Sequence, residues 1–227
     1  MQTKQHLFAR GGWYVPFFFL NDCWFWFYRL MNPKRTIGLS EYGAEGMPNL
    51  HSVSPCRGDN TEEYQCKYHE YMLRFFEKRP YLWATHLWNM YDFAADKRNQ
   101  GGEPGMNHKG LVTHDRRIKK DAFYLYKAYW SDEPFVHLCG KRFVNRTGNK
   151  LKIKVYSNQK TIEVFVNGKQ FKTLTGDKVF NITLPFSAVT EVTVKSGNLT
   201  DEGTFNKVAK KDPSYIVTKV DTTNWQK

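Results

Sequence analysis

The residues best suited to chemistry lie in the stretch Ile37-Gly38-Leu39-Ser40-Glu41-Tyr42-Gly43-Ala44-Glu45-Gly46. A short apolar run ends on a carboxylate, and a Gly-rich loop follows at once. In a barrel of parallel strands this is how a strand delivers an acidic side chain to the open, C-terminal face, where catalytic groups gather. Glu45 is a second carboxylate close by. It falls past the strand end and reads as a loop residue, so Glu41 is the better candidate for chemistry.

The elements that must position Glu41 follow from periodicity. Thr36 to Tyr42 reads as a strand, and Met47 to Asp59, with Pro48, Pro55 and Gly58, as a loop. A helix then begins, with Asn60 as a cap and Glu63 as its reciprocal partner. Tyr64, Tyr68, Tyr71, Met72, Phe75 and Phe76 fall on one helical face and predict packing on a sheet. Pro80 stops the helix, and Tyr81 to Leu87 reads as a second buried strand. Ala94 to Gly110 reads as a long Gly-rich functional loop. Leu111 to Thr113 reads as a short strand and Lys120 to Trp130 as a helix. Strand and helix in alternation predict a parallel α/β sheet.

After Ser131 the pattern changes to period two. Leu151, Ile153 and Val155 alternate with polar residues, as do Ile162, Val164 and Val166, and Asn167-Gly168 is a tight-turn pair. About 95 residues of this kind predict an antiparallel sandwich of immunoglobulin type. The expected fold is therefore α/β followed by all-β, with one domain over 1–131 and a second over 132–227.

The bulk properties exclude some classes. The chain has 227 residues, a net charge of +12 and 16% aromatic residues. Such charge raises nucleic acid as a partner, but the basic residues are dispersed and no nucleic-acid-binding motif accompanies them. Cys23, Cys56, Cys66 and Cys139 form no paired motif, which points to a reducing, cytoplasmic setting and no disulfide scaffold. The His and Cys spacing gives no metal site, and no cofactor is implied. The aromatic segment Gly12 to Leu30 is broken by Pro16, Asn21, Asp22 and Arg29, too short a run for a membrane span, and is read as buried structure.

Three segments carry a family resemblance. Gly38 to Gly46 resembles the nucleophile strand of glycoside hydrolase family 2, the β-galactosidase and β-glucuronidase family. Trp83 to Phe93, with Trp88-Asn89-Met90-Tyr91-Asp92-Phe93, resembles that family's last barrel strand. Gly105 to Thr113, Asp115-Arg116 and Lys119 to Tyr124 resemble the segment that closes the barrel. The resemblance runs from about Thr36 to Trp130, and the part after Ser131 resembles the immunoglobulin-like domain that follows the barrel. It implies the C-terminal portion of a (β/α)8 barrel followed by that sandwich.

The resemblance further implies a retaining mechanism with two carboxylates about 5–5.5 Å apart. Glu41 takes the place of the nucleophile. Trp88 takes the place of a sugar-stacking aromatic, where an indole face suits the CH edges of a pyranose. His51, Tyr42 and Asn89 are further candidates for contact with the sugar. Asn107 and Lys109 resemble the Asn-x-Lys pair by which β-glucuronidases grip the sugar carboxylate, and a lysine beside a carboxylate is sound chemistry. The family's acid/base Glu follows an Asn, and this chain has no Asn-Glu dipeptide. The leading expectation is a β-galactosidase-type retaining hydrolase acting on a carbohydrate, present as a C-terminal fragment that lacks the acid/base and is inactive alone. The alternatives are a β-glucuronidase or an inert sugar- or partner-binding remnant. Its partner is expected to be the missing N-terminal part or a second copy, with neither nucleic acid nor membrane.

Overall fold

The computed structural model describes residues 18–101 and 103–217. Helix α1 (Phe18–Met31) leads into strand β1 (Ile37–Tyr42), helix α2 (Glu62–Glu77) and strand β2 (Leu82–Leu87). β1 and β2 pair in parallel, from Ile37 opposite Leu82 to Tyr42 opposite Leu87. This is the βαβ unit that the alternation predicts. α2 is capped by Thr61, whose hydroxyl accepts from the Tyr64 amide at 3.1 Å. The expected cap, Asn60, instead holds a left-handed backbone with φ of 53°.

The expected long loop is in large part a hairpin. β3 (Phe93–Gln100) pairs antiparallel with β4 (Glu103–Asn107), Phe93 opposite Asn107. The residues 93–107 lack clean two-fold alternation, which is why the pairing is not visible in the sequence. Leu111 to Thr113 forms only isolated bridges, Val112 with Tyr91 and Lys119. Helix α3 (Asp121–Trp130) follows.

Eight strands make the remainder: β5 (Val136–Leu138), β6 (Asn145–Arg146), β7 (Lys150–Ser157), β8 (Thr161–Val166), β9 (Lys169–Thr175), β10 (Lys178–Pro185), β11 (Val189–Ser196) and β12 (Leu199–Lys207). They form a three-stranded sheet, β10-β7-β5, and a five-stranded sheet, β6-β12-β11-β8-β9. Alternate residues such as Leu151, Ile153, Val155, Ile162, Val164, Val192, Val194 and Phe205 fill one core between them. Asn167 and Gly168 turn the β8–β9 hairpin with φ of 48° and 75°, the left-handed pair that a tight hairpin requires.

The two units share packing. The first core holds Leu39, Tyr42, Tyr64, Tyr68, Leu125 and Tyr126, and extends to Cys139 and Tyr156 of the second unit. Buried charges join them: Arg142 pairs with Glu62, Lys154 and the Tyr156 hydroxyl with Glu70, and His137 with Asp121 at 2.9 Å. Breaking such buried pairs one partner at a time is costly.

The aromatic segment before β1 departs from its expected burial. Gly12 to Phe17 lies outside the described residues. Within α1, Phe25 is buried edge-on against Phe75, with centroids 5.1 Å apart, whereas Trp26, Phe27 and Leu30 are exposed. A helix packed against one neighbour buries one face and leaves the apolar residues on its other faces exposed. Among the described residues no helix is long and apolar enough to cross a membrane.

Candidate active site

β1 positions Glu41 through a pairing irregularity. Ile37 and Leu39 are buried, and strict alternation would carry Glu41 into the core with them. The register with β2 shifts between Leu39 and Tyr42. The shift sends Tyr42 into the core, fully buried, and leaves Glu41 half-buried.

Tyr42 is therefore corrected from a sugar contact to a core residue. Its hydroxyl accepts from the Tyr126 hydroxyl at 3.0 Å, and His69 Nδ1 lies 2.8 Å from that same Tyr126 oxygen. Burial pushes the Tyr42 phenol up to about 12. Burial also holds His69 down to about 3, so its ring is neutral.

Trp88 follows the end of β2, next to the end of β1. Its amide donates to the Tyr42 carbonyl at 2.8 Å, and its ring is 40% exposed, resting edge-on against Phe93 at 5.7 Å. The Trp88–Asn89 peptide is cis. Asn89 lies at the same strand end, and its Oδ1 is buried without a hydrogen-bond partner. The Asn89 amide donates to the Lys109 carbonyl at 3.3 Å, and the Leu111 amide donates back to the Asn89 carbonyl at 3.2 Å. Asn107 Oδ1 accepts from the Lys109 amide at 3.0 Å, which shapes the Asn-x-Lys turn.

Lys109 is buried, and desolvation lowers its pKa. The nearby Arg98 cation lowers it too, while Glu45 and Glu41 act in the opposite direction. Glu41, Trp88, Asn89, Asn107 and Lys109 thus form one arc around the ends of β1 and β2, with a carboxylate and an ammonium sharing one field.

His51 belongs to another neighbourhood. Its Nδ1 lies 3.0 Å from Glu63, its ring stacks on Phe143 at 5.2 Å, and Tyr215 meets it edge-on at 5.0 Å. It lines a cavity of about 610 Å³ between the two units. An adjoining cavity measures about 540 Å³, and neither is lined by Glu41, Trp88 or Lys109. The His51 contacts are with Glu63, Phe143 and Tyr215, and none of them is with Glu41, Trp88 or Lys109, so the structure does not bring His51 together with the other candidates.

Residues outside the candidate set hold the arc in place. Gln65 of α2 donates to the carbonyls of Ala44 at 3.0 Å and Gly110 at 3.1 Å, tying the two loops together. Asp92 accepts from the Gly110 amide at 2.8 Å and pairs with the fully buried Lys120 at 2.8 Å, whose ammonium also donates to the His108 carbonyl. Glu45 is buried as well. It pairs with Arg98 and accepts from the His108 amide at 2.8 Å. Gln65 was detectable as a polar residue within an otherwise apolar helix face. The partners of Asp92 and Glu45 were not detectable.

Asp121, His137 and Cys139 bring ligand atoms within 4.8 Å of one another. Both His137 nitrogens already face carboxylates, Asp121 at 2.9 Å and Asp201 at 3.5 Å, and the other Asp121 oxygen accepts from the Gly140 amide. With its lone pairs so engaged, the cluster is an ion network and a poor cation site.

The chain is similar to known proteins. No family model matches the chain. A β-glucuronidase of Bacteroides fragilis is 35% identical over 176 residues, which cover 68% of this chain and 25% of that protein. Among solved structures, the FMN-binding β-glucuronidase of Facaelibacterium prausnitzii L2-6 is 41% identical with a TM-score of 0.87, over 92% of this chain and 33% of that one. A provisional β-galactosidase of Bacteroides fragilis is 31% identical with a TM-score of 0.79, over 90% of this chain and 33% of that one. The chain spans a quarter or less of the length of the first curated relatives it matches.

Proposed function

We propose that this chain, which belongs to glycoside hydrolase family 2, carries the nucleophile and the carboxylate grip of a β-glucuronidase. The observation that carries this reading is the joining of three segments: the Trp88 amide donates to the Tyr42 carbonyl next to Glu41, and the following Asn89 amide donates to the carbonyl of the buried Lys109. An unpaired ammonium held away from water binds a sugar carboxylate more strongly than it binds a hydroxyl. Galactose offers only a hydroxyl at that position. The names of the similar proteins favour glucuronide over the galactoside expected first.

In this reading the half-buried Glu41 attacks the anomeric carbon and is displaced later by water. Trp88 offers its indole face to the sugar ring, and Asn107 sets the turn from which Lys109 reaches the carboxylate. Asn89 supplies an amide whose oxygen has no protein partner. β1, α2 and β2 serve as strands and helix of a (β/α)8 barrel ahead of an immunoglobulin-like domain, with the boundary near Ser131. The exposed Trp26, Trp83 and Trp130 support a further packing partner for this part. Leaving-group protonation requires a second carboxylate. Without an Asn-Glu strand end in this chain, turnover by it alone is slower by about 10²–10⁴ for want of acid catalysis.

The test is ligand-observed NMR on the full chain with glucuronate and galactose. Glucuronate binds, galactose does not, and Lys109→Met removes the glucuronate signal while the melting curve stays cooperative. Equal binding of both sugars, or binding that survives Lys109→Met, contradicts the reading.

A further inference from the structure

The Lys109 ammonium has an acidic neighbour that does not bond it. Glu45 reaches the backbone amide of His108, the residue next to Lys109, yet both of its oxygens are engaged elsewhere. One is held by the Arg98 guanidinium from β3, the other by the His108 amide at 2.8 Å. The Gly46 amide donates to the His108 carbonyl at 3.0 Å, so the chain on both sides of the contact is pinned. The Arg98 and Glu45 side chains are 11% and 9% exposed, a pair largely out of water.

Among the described residues, other charges near Lys109 are engaged. Lys120 is occupied by Asp92 and the His108 carbonyl, and the His108 ring faces Asp92 at 3.6 Å and Glu103 at 3.1 Å. Glu41 acts on Lys109 only through space. We propose that Arg98 is a positioning residue: by holding Glu45 it keeps that carboxylate off Lys109, and so leaves the ammonium free for an incoming carboxylate. This rests on the glucuronide reading for the identity of the anion, but not for the clamp itself.

Removing Arg98 leaves a buried carboxylate without its cation, a costly state that relaxes toward another cation. Lys109 is the cation whose field Glu45 already shares. An engaged Lys109 is harder to deprotonate and slower to acylate.

The experiment is the rate of Lys109 acetylation by acetic anhydride, read by peptide mass spectrometry from pH 7 to 10 on the full chain. Arg98→Gln slows it by about tenfold at neutral pH, equivalent to one pKa unit. Arg98→Lys keeps the cation and stays near the wild-type rate. The double variant Arg98→Gln/Glu45→Gln returns to the wild-type rate or faster. Glu45→Gln alone speeds acetylation, and it carries the test should Arg98→Gln fail to fold. An unchanged or faster rate in Arg98→Gln, a double variant as slow as the single one, or no acceleration in Glu45→Gln overturns the clamp. Glucuronate binding is measured alongside. If wild type does not bind glucuronate while the acetylation series behaves as stated, the clamp stands and the glucuronide reading fails.

Discussion

The backbone of Trp88 lies directly against Gly43. The Trp88 amide donates to the Tyr42 carbonyl at 2.8 Å, and a methyl group on Gly43 would sit 1.9 Å from the Trp88 carbonyl oxygen. The glycine is required by this close approach, and its backbone is not left-handed. Two strand ends are thereby held in contact, one carrying Glu41 and the other Trp88.

Gly43→Ala must push the strand ends apart. A destabilisation of about 1–3 kcal/mol is expected from the overpacking. Glucuronate binding is lost as well, because Trp88 moves from its place. Thermal melts and the NMR binding assay check both. A variant as stable as wild type that still binds would show that the contact does not position the site.

Tyr42→Phe separates a core role from a sugar contact. The hydroxyl bonds only within the buried Tyr42–Tyr126–His69 chain. Its loss leaves the Tyr126 hydroxyl without its acceptor and costs about 1–3 kcal/mol. Glucuronate affinity is unchanged. Urea denaturation together with the binding assay reads the two effects, and a selective loss of affinity would return Tyr42 to the sugar site.

The junction between the units makes stability depend on pH. Burial alone would lower the His137 pKa, but hydrogen bonds to Asp121 and Asp201 outweigh it and raise it above 6.5. A raised folded-state value stabilises fully below the unfolded value and is lost as pH rises through the raised one. Burial raises the pKa of Asp201, yet hydrogen bonds from His137, Lys141 and the Leu138 amide hold it down to about 2. Its contribution is present above the ordinary 3.8 and lost as pH falls through about 2. The melting temperature should therefore be highest between these limits. His137→Asn should lower it there and flatten its decline on the alkaline side. A wild-type melting temperature that rises steadily from pH 6 to 9 would contradict this.

Positions were more legible in the sequence than their supports. The places of Glu41, Trp88 and Lys109 at strand ends or in a short turn could be read because local spacing fixes them, while their roles remain the proposal above. The eight strands after Ser131 were legible because a half-buried sheet imposes two-fold alternation. Tyr42 was misread because a one-residue shift in pairing decides which side chain turns inward, and the sequence does not encode such a shift locally. Arg98 and Glu45 are 53 residues apart, and Glu62 and Arg142 are 80 apart. Which charge meets which across such separations depends on tertiary packing alone. The hairpin of β3 and β4 lacked alternation because none of its described residues belongs to either hydrophobic core, so no buried face imposes the pattern.

The most direct measurement is covalent labelling with 2-fluoro-glucuronyl fluoride, whose fluoride departs without an acid and so needs only the nucleophile. Mass spectrometry of the digested chain should find the 2-fluoro-glucuronyl group on the peptide containing Glu41. The label should be absent in Glu41→Gln and in the wild type treated with the galactosyl reagent. Label on any other carboxylate, or none in a folded wild-type chain that binds glucuronate, would contradict Glu41 as the nucleophile.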